Sequence, residues 1–334
     1  MNDLPWFGKR TSAQTSSQTP TQPSTQTSDR TSAVQIPASY QPQPDRADDT
    51  RTALARGQLP GYVRQRLDTQ RTGALPWTSD LSVNEWLLMK NYKFRPLGLV
   101  MGSSYYHVAY SKANFSGSWS SGEVRSISDA LYQGRHLALT RMSQEAKELG
   151  ANAVVGVRLE TKMPSYAGHE TEFVAIGTAV AMEGLAPSAN PVLCTVSGQD
   201  LAKLLAAGAI PVSVALGVSV YYQYTTARDT WREQSWSNQE MPMFTDSVYQ
   251  TRHAAMRNMV HESVQAGGTG VLAHETKLHV YEVEVERGEN DTRTDHVLEF
   301  VSMGTVISSP RQMPPLNIET ALSLSANDLS LQQD

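Results

Sequence analysis

The chain has 334 residues, 28 of them basic and 33 acidic, which gives a formal net charge of −5. A chain with this balance lacks the basic surface that is typical of nucleic-acid-binding proteins. The single cysteine, Cys194, excludes an intrachain disulfide and a cysteine-based zinc site within one chain. The first ten residues lack the basic-then-apolar order of a secretory signal, so we expect a cytoplasmic protein with room for about two domains.

The N-terminal segment has a composition that does not form a packed core. Residues 11–28 are Ser, Thr, Gln or Pro at every position except Ala13. Because such a segment has too little apolar surface to offset its ordering entropy, residues 1–50 are predicted to be a disordered tail. Residues 51–81 are predicted to be a linker with short helical pieces, since Gly and Pro residues interrupt any long helix there.

The tail contains an isolated apolar cluster that has two interpretations. Leu4, Trp6 and Phe7 lie close together in the sequence, and the Leu-Pro-Trp order returns at Trp77. In the first interpretation these four residues form short docking motifs for a protein partner. In the second they are tail aromatics without a role, and the sequence leaves both open.

One stretch of the chain is present twice. Residues 128–150 and 245–267 align without a gap, and nine of their 23 positions are identical. The identical positions are Asp129/Asp246, Tyr132/Tyr249, Gln133/Gln250, Arg135/Arg252, His136/His253, Ala138/Ala255, Met142/Met259, Glu145/Glu262 and Gly150/Gly267. An internal repeat of this length predicts that the chain is organised as two similar units.

Helix, turn and strand signals recur in the same order around both copies. Ser82 and Ser197 each precede a short apolar helix pattern as N-caps, with an acidic residue three positions later. Each unit is predicted to contain a short helix, a strand, a loop, a long helix and two strands. The predicted boundaries are 82–184 for the first unit, 185–196 for a linker, 197–309 for the second unit and 310–334 for a polar tail.

The uncharged residues 204–222 are long enough to suggest a membrane span. Pro211 interrupts them, however, and valines then alternate with small residues, which is the period of a strand. No membrane span is therefore expected.

The repeated helix carries charged residues beside its apolar stripe. Arg135 and Glu145 lie at the edges of that stripe, as do Arg252 and Glu262 in the second copy. Ten residues of helix separate the two members of each set by about 15 Å, so they cannot pair with each other. We expect these four residues to pair across a boundary between units or between chains, as an oligomer interface. The alternative is that they extend to solvent from the helix edge.

His136 and His253 are the candidate metal ligands, and both lie on the opposite face of the repeated helix. Asp129 is about 10 Å from His136 along the helix, too far for one ion, so a metal would need ligands from another segment or chain. The alternative is a hydrogen-bonded structural role for each histidine. The cofactor is otherwise unknown, with a divalent or heavy metal ion as the candidate.

The sequence contains no recognisable catalytic pattern. The glycines at 267–270 follow a helix and precede a strand, which is the order of a helix C-cap and the reverse of a phosphate loop. Nucleophile elbows, Ser/His/Asp sets and paired carboxylates are not apparent, so enzymatic activity is not expected.

A family resemblance rests on the end of the first long helix and on the last strand of the first unit. The run Lys147–Val157 reads KELGANAVVGV, and Val174–Val180 reads VAIGTAV. These motifs resemble the YbjQ-like family, which carries a heavy-metal-binding label. The second unit departs from the pattern, because Ala266–Leu272 reads AGGTGVL and the later strand reads GTVI.

The resemblance implies an α+β fold of two tandem YbjQ-like units. Each would be a small antiparallel sheet with helices, similar to dodecin-like folds, that assembles into rings of five. We therefore expect a homo-oligomer of five chains or a multiple, with each repeat forming its own ring in a stack. The expected function is a non-enzymatic scaffold that recruits partners through its N-terminal arm. The alternative is a metal-binding or metal-responsive protein with sites between subunits.

Overall fold

The computed structural model describes residues 46–108, 120–162, 170–226, 228–229, 238–286 and 292–309. All the described elements belong to one compact unit. The helices are α1 (Arg46–Ala55), α2 (Gly61–Arg71), α3 (Val83–Asn91), α4 (Arg125–Glu148), α5 (Gly198–Ala206) and α6 (Pro242–Gln265). The strands are β1 (Phe94–His107), β2 (Gly122–Glu123), β3 (Ala153–Lys162), β4 (Glu170–Met182), β5 (Val192–Leu193), β6 (Ile210–Gln223), β7 (Gly270–Glu286) and β8 (Thr292–Ser308).

The N-terminal helices α1 and α2 bear on two predictions, the end of the disordered tail and the break between two short helices. The predicted disordered tail extends too far, because α1 already begins at Arg46. The Arg46 guanidinium lies over the Tyr62 ring at 4.8 Å, and the Asp49 carboxylate accepts a hydrogen bond from the Gly61 backbone. These contacts order α1 against α2. The predicted break between two short helices is confirmed, with Gly57 at a positive φ of 66°.

The described chain is a mixed α+β protein with two four-stranded sheets. The first sheet has the order β1-β4-β3-β5 and the second has the order β2-β6-β8-β7. We call α3 to β4 the first half and α5 to β8 the second half. Each half contains a short helix, a strand, a long helix and two strands, in the predicted order. The β5 strand pairs with the first sheet in parallel, and all other pairings are antiparallel.

Local signals at the element ends act as the sequence indicates. Ser82 forms a complete capping box with Glu85 at the start of α3, and the Ser197 side chain caps α5. Residues 210–223 form a strand as predicted. Gly267 follows the end of α6 with a φ of 76°, a left-handed conformation that suits glycine at a helix C-terminus. Among the described residues, no helix is both long and apolar enough to cross a membrane.

Each long helix packs closely on a sheet at a glycine of its first long strand. A Cβ atom on Gly102 would lie 2.0 Å from the Ala138 carbonyl oxygen of α4. A Cβ atom on Gly217 would lie 2.1 Å from the Ala255 carbonyl oxygen of α6. Only glycine allows the strand and the helix backbone to approach so closely, which fixes the position of each helix on its sheet.

Helix α4 lies between the two sheets. One side of it packs on β1 and β4, and another side contacts β6 of the second half. The Ser104 hydroxyl donates to the Gly134 carbonyl on the first side, and the Ser128 hydroxyl accepts from the Val220 amide on the second. One apolar core therefore runs through both halves, from Phe173 in β4 to Met303 in β8.

Candidate assembly interface

The contact between the halves starts from a stripe of α4 residues that points to the second sheet. Ser128, Tyr132, Arg135 and Leu139 recur every three or four positions, so they share one face of the helix. The face of the second sheet that they meet is the one opposite α6. The first half thus presents its helix side, and the second half presents the back of its sheet.

A buried ion pair holds the centre of this contact. Arg135 Nη2 donates to Glu299 Oε1 at 2.5 Å, and the two side chains are 2% and 0% exposed. Arg135 also donates to Thr161 Oγ1 at 3.2 Å, and its guanidinium lies over the Phe173 ring at 4.8 Å. Additional partners of this kind are needed because removing two charges from water is costly. The partner of Arg135 therefore lies in the other half of the chain.

The remaining oxygen of Glu299 is also satisfied. Tyr281 Oη donates to Glu299 Oε2 at 3.2 Å. Burial raises the pKa of Tyr281, and the Glu299 charge raises this pKa further. The phenol thus stays a hydrogen-bond donor across the physiological pH range.

A second polar contact crosses the boundary at the edge of β6. Glu262 Oε2 accepts from the Leu216 amide at 2.5 Å, and Glu262 Oε1 accepts from the Tyr132 hydroxyl. Burial raises the pKa of Tyr132, and the hydrogen bond to Glu262 raises it further. One carboxylate therefore joins a strand of its own half to the long helix of the other half.

Glu145 makes the matching contact in the first half but has a different second partner. Its Oε2 accepts from the Met101 amide at 3.0 Å, as Glu262 does from Leu216. Its Oε1 accepts from Arg66 of α2 at 2.9 Å, where Glu262 has Tyr132. Burial raises the pKa of Glu145, while Arg66 and the Met101 amide oppose that rise. Glu145 thus binds α2 to the first half.

The two halves also exchange short strands. The two residues of β2, which precede α4, pair with Tyr221 and Tyr222 of β6. In return β5, which precedes α5, pairs in parallel with Ala153 and Val154 of β3. The Thr195 amide then donates to Thr305 Oγ1 at 2.8 Å on the back of the second sheet. The contact therefore combines a helix face, a sheet face and two strand additions.

The candidate metal ligands lie outside this contact. His136 is exposed, stacks on Tyr132 at 5.8 Å between ring centroids, and lines a cleft of 540 Å³ together with Glu262. His253 is exposed on α6. In the described part of the chain, no group of three or more His, Cys, Asp or Glu side chains is placed to hold a metal ion.

The other candidate residues are placed as follows. Arg252 is exposed on the outer side of α6, and Trp77 is 47% exposed in front of α3. Leu4, Trp6 and Phe7 lie outside the described residues, so their docking role stays a prediction.

Glu299, which is central to the contact, was not among the residues predicted from the sequence. The available signal was the glutamate that begins the Glu-Phe-Val run of both last strands, as Glu172 and Glu299. A charged residue at the same position of two otherwise apolar strands indicates a buried partner.

Comparison with known proteins relates the chain to one protein family. The YbjQ family, described as "Putative heavy-metal-binding", matches residues 89–183, which lie in the first half. The chain is 35% identical over 236 residues to the encapsulin nanocompartment protein Rv1762c of Mycobacterium tuberculosis. That alignment covers 69% of this chain and 85% of the relative, and the chain belongs to the same family as that protein.

Shorter relatives match a smaller part of the chain. A UPF0145 protein of Halalkalibacterium halodurans is 42% identical over 62 residues, which is 19% of this chain and 57% of the relative. A UPF0145 protein of Pyrococcus abyssi is 45% identical over 62 residues, which is 19% of this chain and 53% of the relative. The chain thus spans little more than half the length of these relatives. No solved structure matches the chain significantly.

Proposed function

We propose that the protein is a non-enzymatic, self-assembling scaffold built from two tandem YbjQ-like units. The single observation that carries the proposal is the contact between the halves. It joins the helix side of one unit to the sheet back of the next, and among the described residues the corresponding surfaces, on α6 and on the back of the first sheet, carry exposed side chains. A contact of this head-to-tail kind can be repeated between chains.

The correspondence of the halves supports the tandem arrangement. Both long first strands shift register at the same place, between Pro96 and Gly98 in β1 and between Pro211 and Ser213 in β6. The pairings of β3 and β7 also shift at matching positions. With the glycine approach and the glutamate–amide contact in both halves, these features favour two copies of one unit, at 82–184 and 197–309.

The relative's name supports a place for this scaffold in a nanocompartment. Rv1762c is named as an encapsulin nanocompartment protein, and most of its length aligns with this chain. In the proposal, this protein likewise belongs to a cytoplasmic protein compartment, as an assembled component with no reaction of its own. The N-terminal arm with Leu4, Trp6 and Phe7 would recruit partners to many copies at once and so raise avidity.

A metal-binding function is the second candidate, and one observation favours it. His136 and Glu262 line the same cleft at the boundary of the halves, so an ion there would have a nitrogen and a carboxylate ligand nearby. The remaining ligands, and His253 as a second site, would have to come from another chain. This candidate predicts that assembly depends on metal.

Native mass spectrometry of the full-length protein, before and after chelation, tests both candidates. A metal-free assembly that survives chelation, with five chains or a multiple as the expected mass, supports the scaffold. Integral metal per chain with dissociation on chelation supports the metal-binding function instead. A metal-free single chain before and after chelation contradicts both.

A further inference from the structure

The back of the first sheet is the face opposite α4. It corresponds to the face of the second sheet that α4 covers, but it carries exposed side chains. Met101 of β1 corresponds to Leu216 of β6, and Tyr105 corresponds to Val220. Leu216 and Val220 are 2% and 0% exposed, whereas Met101 and Tyr105 are 49% and 59% exposed. On this face the first half thus presents to solvent two apolar side chains whose counterparts in the second half are buried.

The outer side of α6 is the open counterpart of the α4 face that does the covering. Tyr249 and Val260 are 63% and 52% exposed, and Arg252 is exposed between them. All three lie on one face of the helix, at spacings of three and eight residues. Their counterparts on α4, which meet the second sheet or line the boundary of the halves, are Tyr132, Arg135 and Ser143.

The charges of the two open surfaces are complementary. Arg252 corresponds to Arg135, and Glu172 of β4 corresponds to Glu299. Glu172 is only partly buried and lies between Tyr105 of β1 and Lys162 of β3 in the sheet. We propose that α6 of one copy docks on the back of the first sheet of the next copy, with Arg252 paired to Glu172. This contact repeats between chains the contact that the halves make within one chain.

The strand exchanges have counterparts in the same places. Residues 239–240 precede α6 as β2 precedes α4, and the residues before the two helices, Val124 and Met241, have nearly the same φ and ψ.

The segment before α3 corresponds to strand β5, and the proposed contact places Trp77 of this segment against a neighbouring copy. Trp77 and Thr78 stand before α3 as Val192 and Leu193 stand before α5. On the back of the first sheet, Thr178 Oγ1 donates to Asp80 Oδ1 at 2.7 Å, as Thr305 contacts Thr195 on the second. In the proposed contact, Trp77 and Thr78 lie along the β7 edge of the preceding copy.

The proposed contact changes the arrangement that the resemblance suggested. In two stacked rings, each first unit would use its α4 face on another first unit. That face is already occupied by the second half of the same chain. In the proposed contact the two halves alternate along the assembly, which closes into one ring where the rotation between successive chains divides a full turn.

A charge-reversal exchange tests this contact, which rests on the proposed self-assembly. Arg252→Glu and Glu172→Arg are prepared separately in the full-length chain and measured by size-exclusion chromatography with light scattering. We expect each variant alone to associate roughly tenfold more weakly or worse, because each contact would place like charges together. The double variant Arg252→Glu/Glu172→Arg should regain the wild-type mass, since every contact in a ring of any size then joins opposite charges. Circular dichroism checks that all three variants are folded.

Arg64→Glu is the matched control, because Arg64 is exposed on α2, outside both proposed surfaces. It should assemble as the wild type does. If the wild type assembles and either single charge reversal leaves the assembly intact, or if the double variant stays dissociated, the proposed contact is wrong while the scaffold function stands. A wild type that remains a single chain contradicts the scaffold function itself.

Discussion

Arg135 of α4 and Glu299 of β8 form a buried ion pair across 164 residues of sequence, with 2.5 Å between the charged atoms. The pair joins the helix side of the first half to the sheet back of the second. It joins the two halves into one structure and defines the contact that we propose to be repeated between chains.

Removal of one member of this pair should strongly destabilise the chain. Arg135→Ala leaves Glu299 charged and buried without its cation, and we expect a loss of about 3–5 kcal/mol in the free energy of unfolding. Urea unfolding followed by circular dichroism measures it. Arg71→Ala is the control, since the Arg71–Asp68 pair is exposed and such pairs contribute less than about 1 kcal/mol. Arg135→Met with Glu299→Leu should recover most of the loss, and an equally unstable double variant would contradict the desolvation argument.

The hydrogen bond from Tyr132 to Glu262 should contribute a smaller amount. Tyr132→Phe keeps the ring and removes the donor to a carboxylate, so a loss of about 1–2 kcal/mol is expected in the same unfolding experiment. Tyr92→Phe changes an exposed ring and should have no measurable effect. Equal effects of the two substitutions would show that the contact across the halves is weak.

The glycine of β6 that touches α6 should not tolerate a methyl group. In Gly217→Ala the added Cβ atom would lie 2.1 Å from a backbone oxygen, and overpacking of this kind costs about 1–3 kcal/mol or more. Gly122→Ala is the matched control, because a Cβ atom there meets no atom within 4 Å. Thermal melting of both variants distinguishes the positions. A Gly217→Ala chain as stable as the control would mean that the helix is not held against the strand.

Glu145 should give the stability a specific pH dependence. Burial raises the pKa of this carboxyl in the folded state, so the folded chain binds more protons than the unfolded chain above the ordinary Glu pKa of about 4.3. The contribution of Glu145 is therefore greatest at low pH and falls as pH rises through the folded-state pKa. Relative to Glu145→Gln, the wild type should lose unfolding free energy as pH rises above the ordinary Glu pKa of about 4.3.

Glu148→Gln, on the exposed side of the same helix, controls for the removal of a carboxylate. Urea unfolding at several pH values makes the comparison. A wild type that gains stability relative to Glu145→Gln as pH rises would show that the Arg66 contact outweighs burial.

The reactivity of the Cys194 thiol should show whether strand β5, which ends just before this residue, stays bound to the first sheet. The thiol is fully buried, and burial raises its pKa to about 12, so little thiolate is present near pH 8. A thiol reagent should react slowly with the native protein and quickly with one thiol per chain in denaturant. Fast reaction of the native chain would mean that this segment detaches readily from the first sheet.

The sequence was sufficient to predict the local elements, because their signals are local. The Ser82 capping box, the break at Gly57 and the glycine after α6 each act through neighbouring residues. The helix repeat and its apolar stripe likewise follow from a short period.

The contacts between the halves depend on long-range pairing, which such patterns do not encode. The partner of Arg135 lies on a strand of the other half, and the second partner of Glu145 lies on α2, which the sequence suggested only as a linker helix. The two exchanged strands are two residues long each, too short to give a periodic signal. The start of α1 was missed because its order depends on contacts with α2.

An electron cryomicroscopy map of the wild-type assembly is the most direct test of the repeated contact. We expect α6 of each copy to lie on the back of the first sheet of the next, with Arg252 beside Glu172 and the halves alternating around one ring. Two stacked rings, in which first halves contact only first halves, or an assembly in which the back of the first sheet is uncovered, would contradict it.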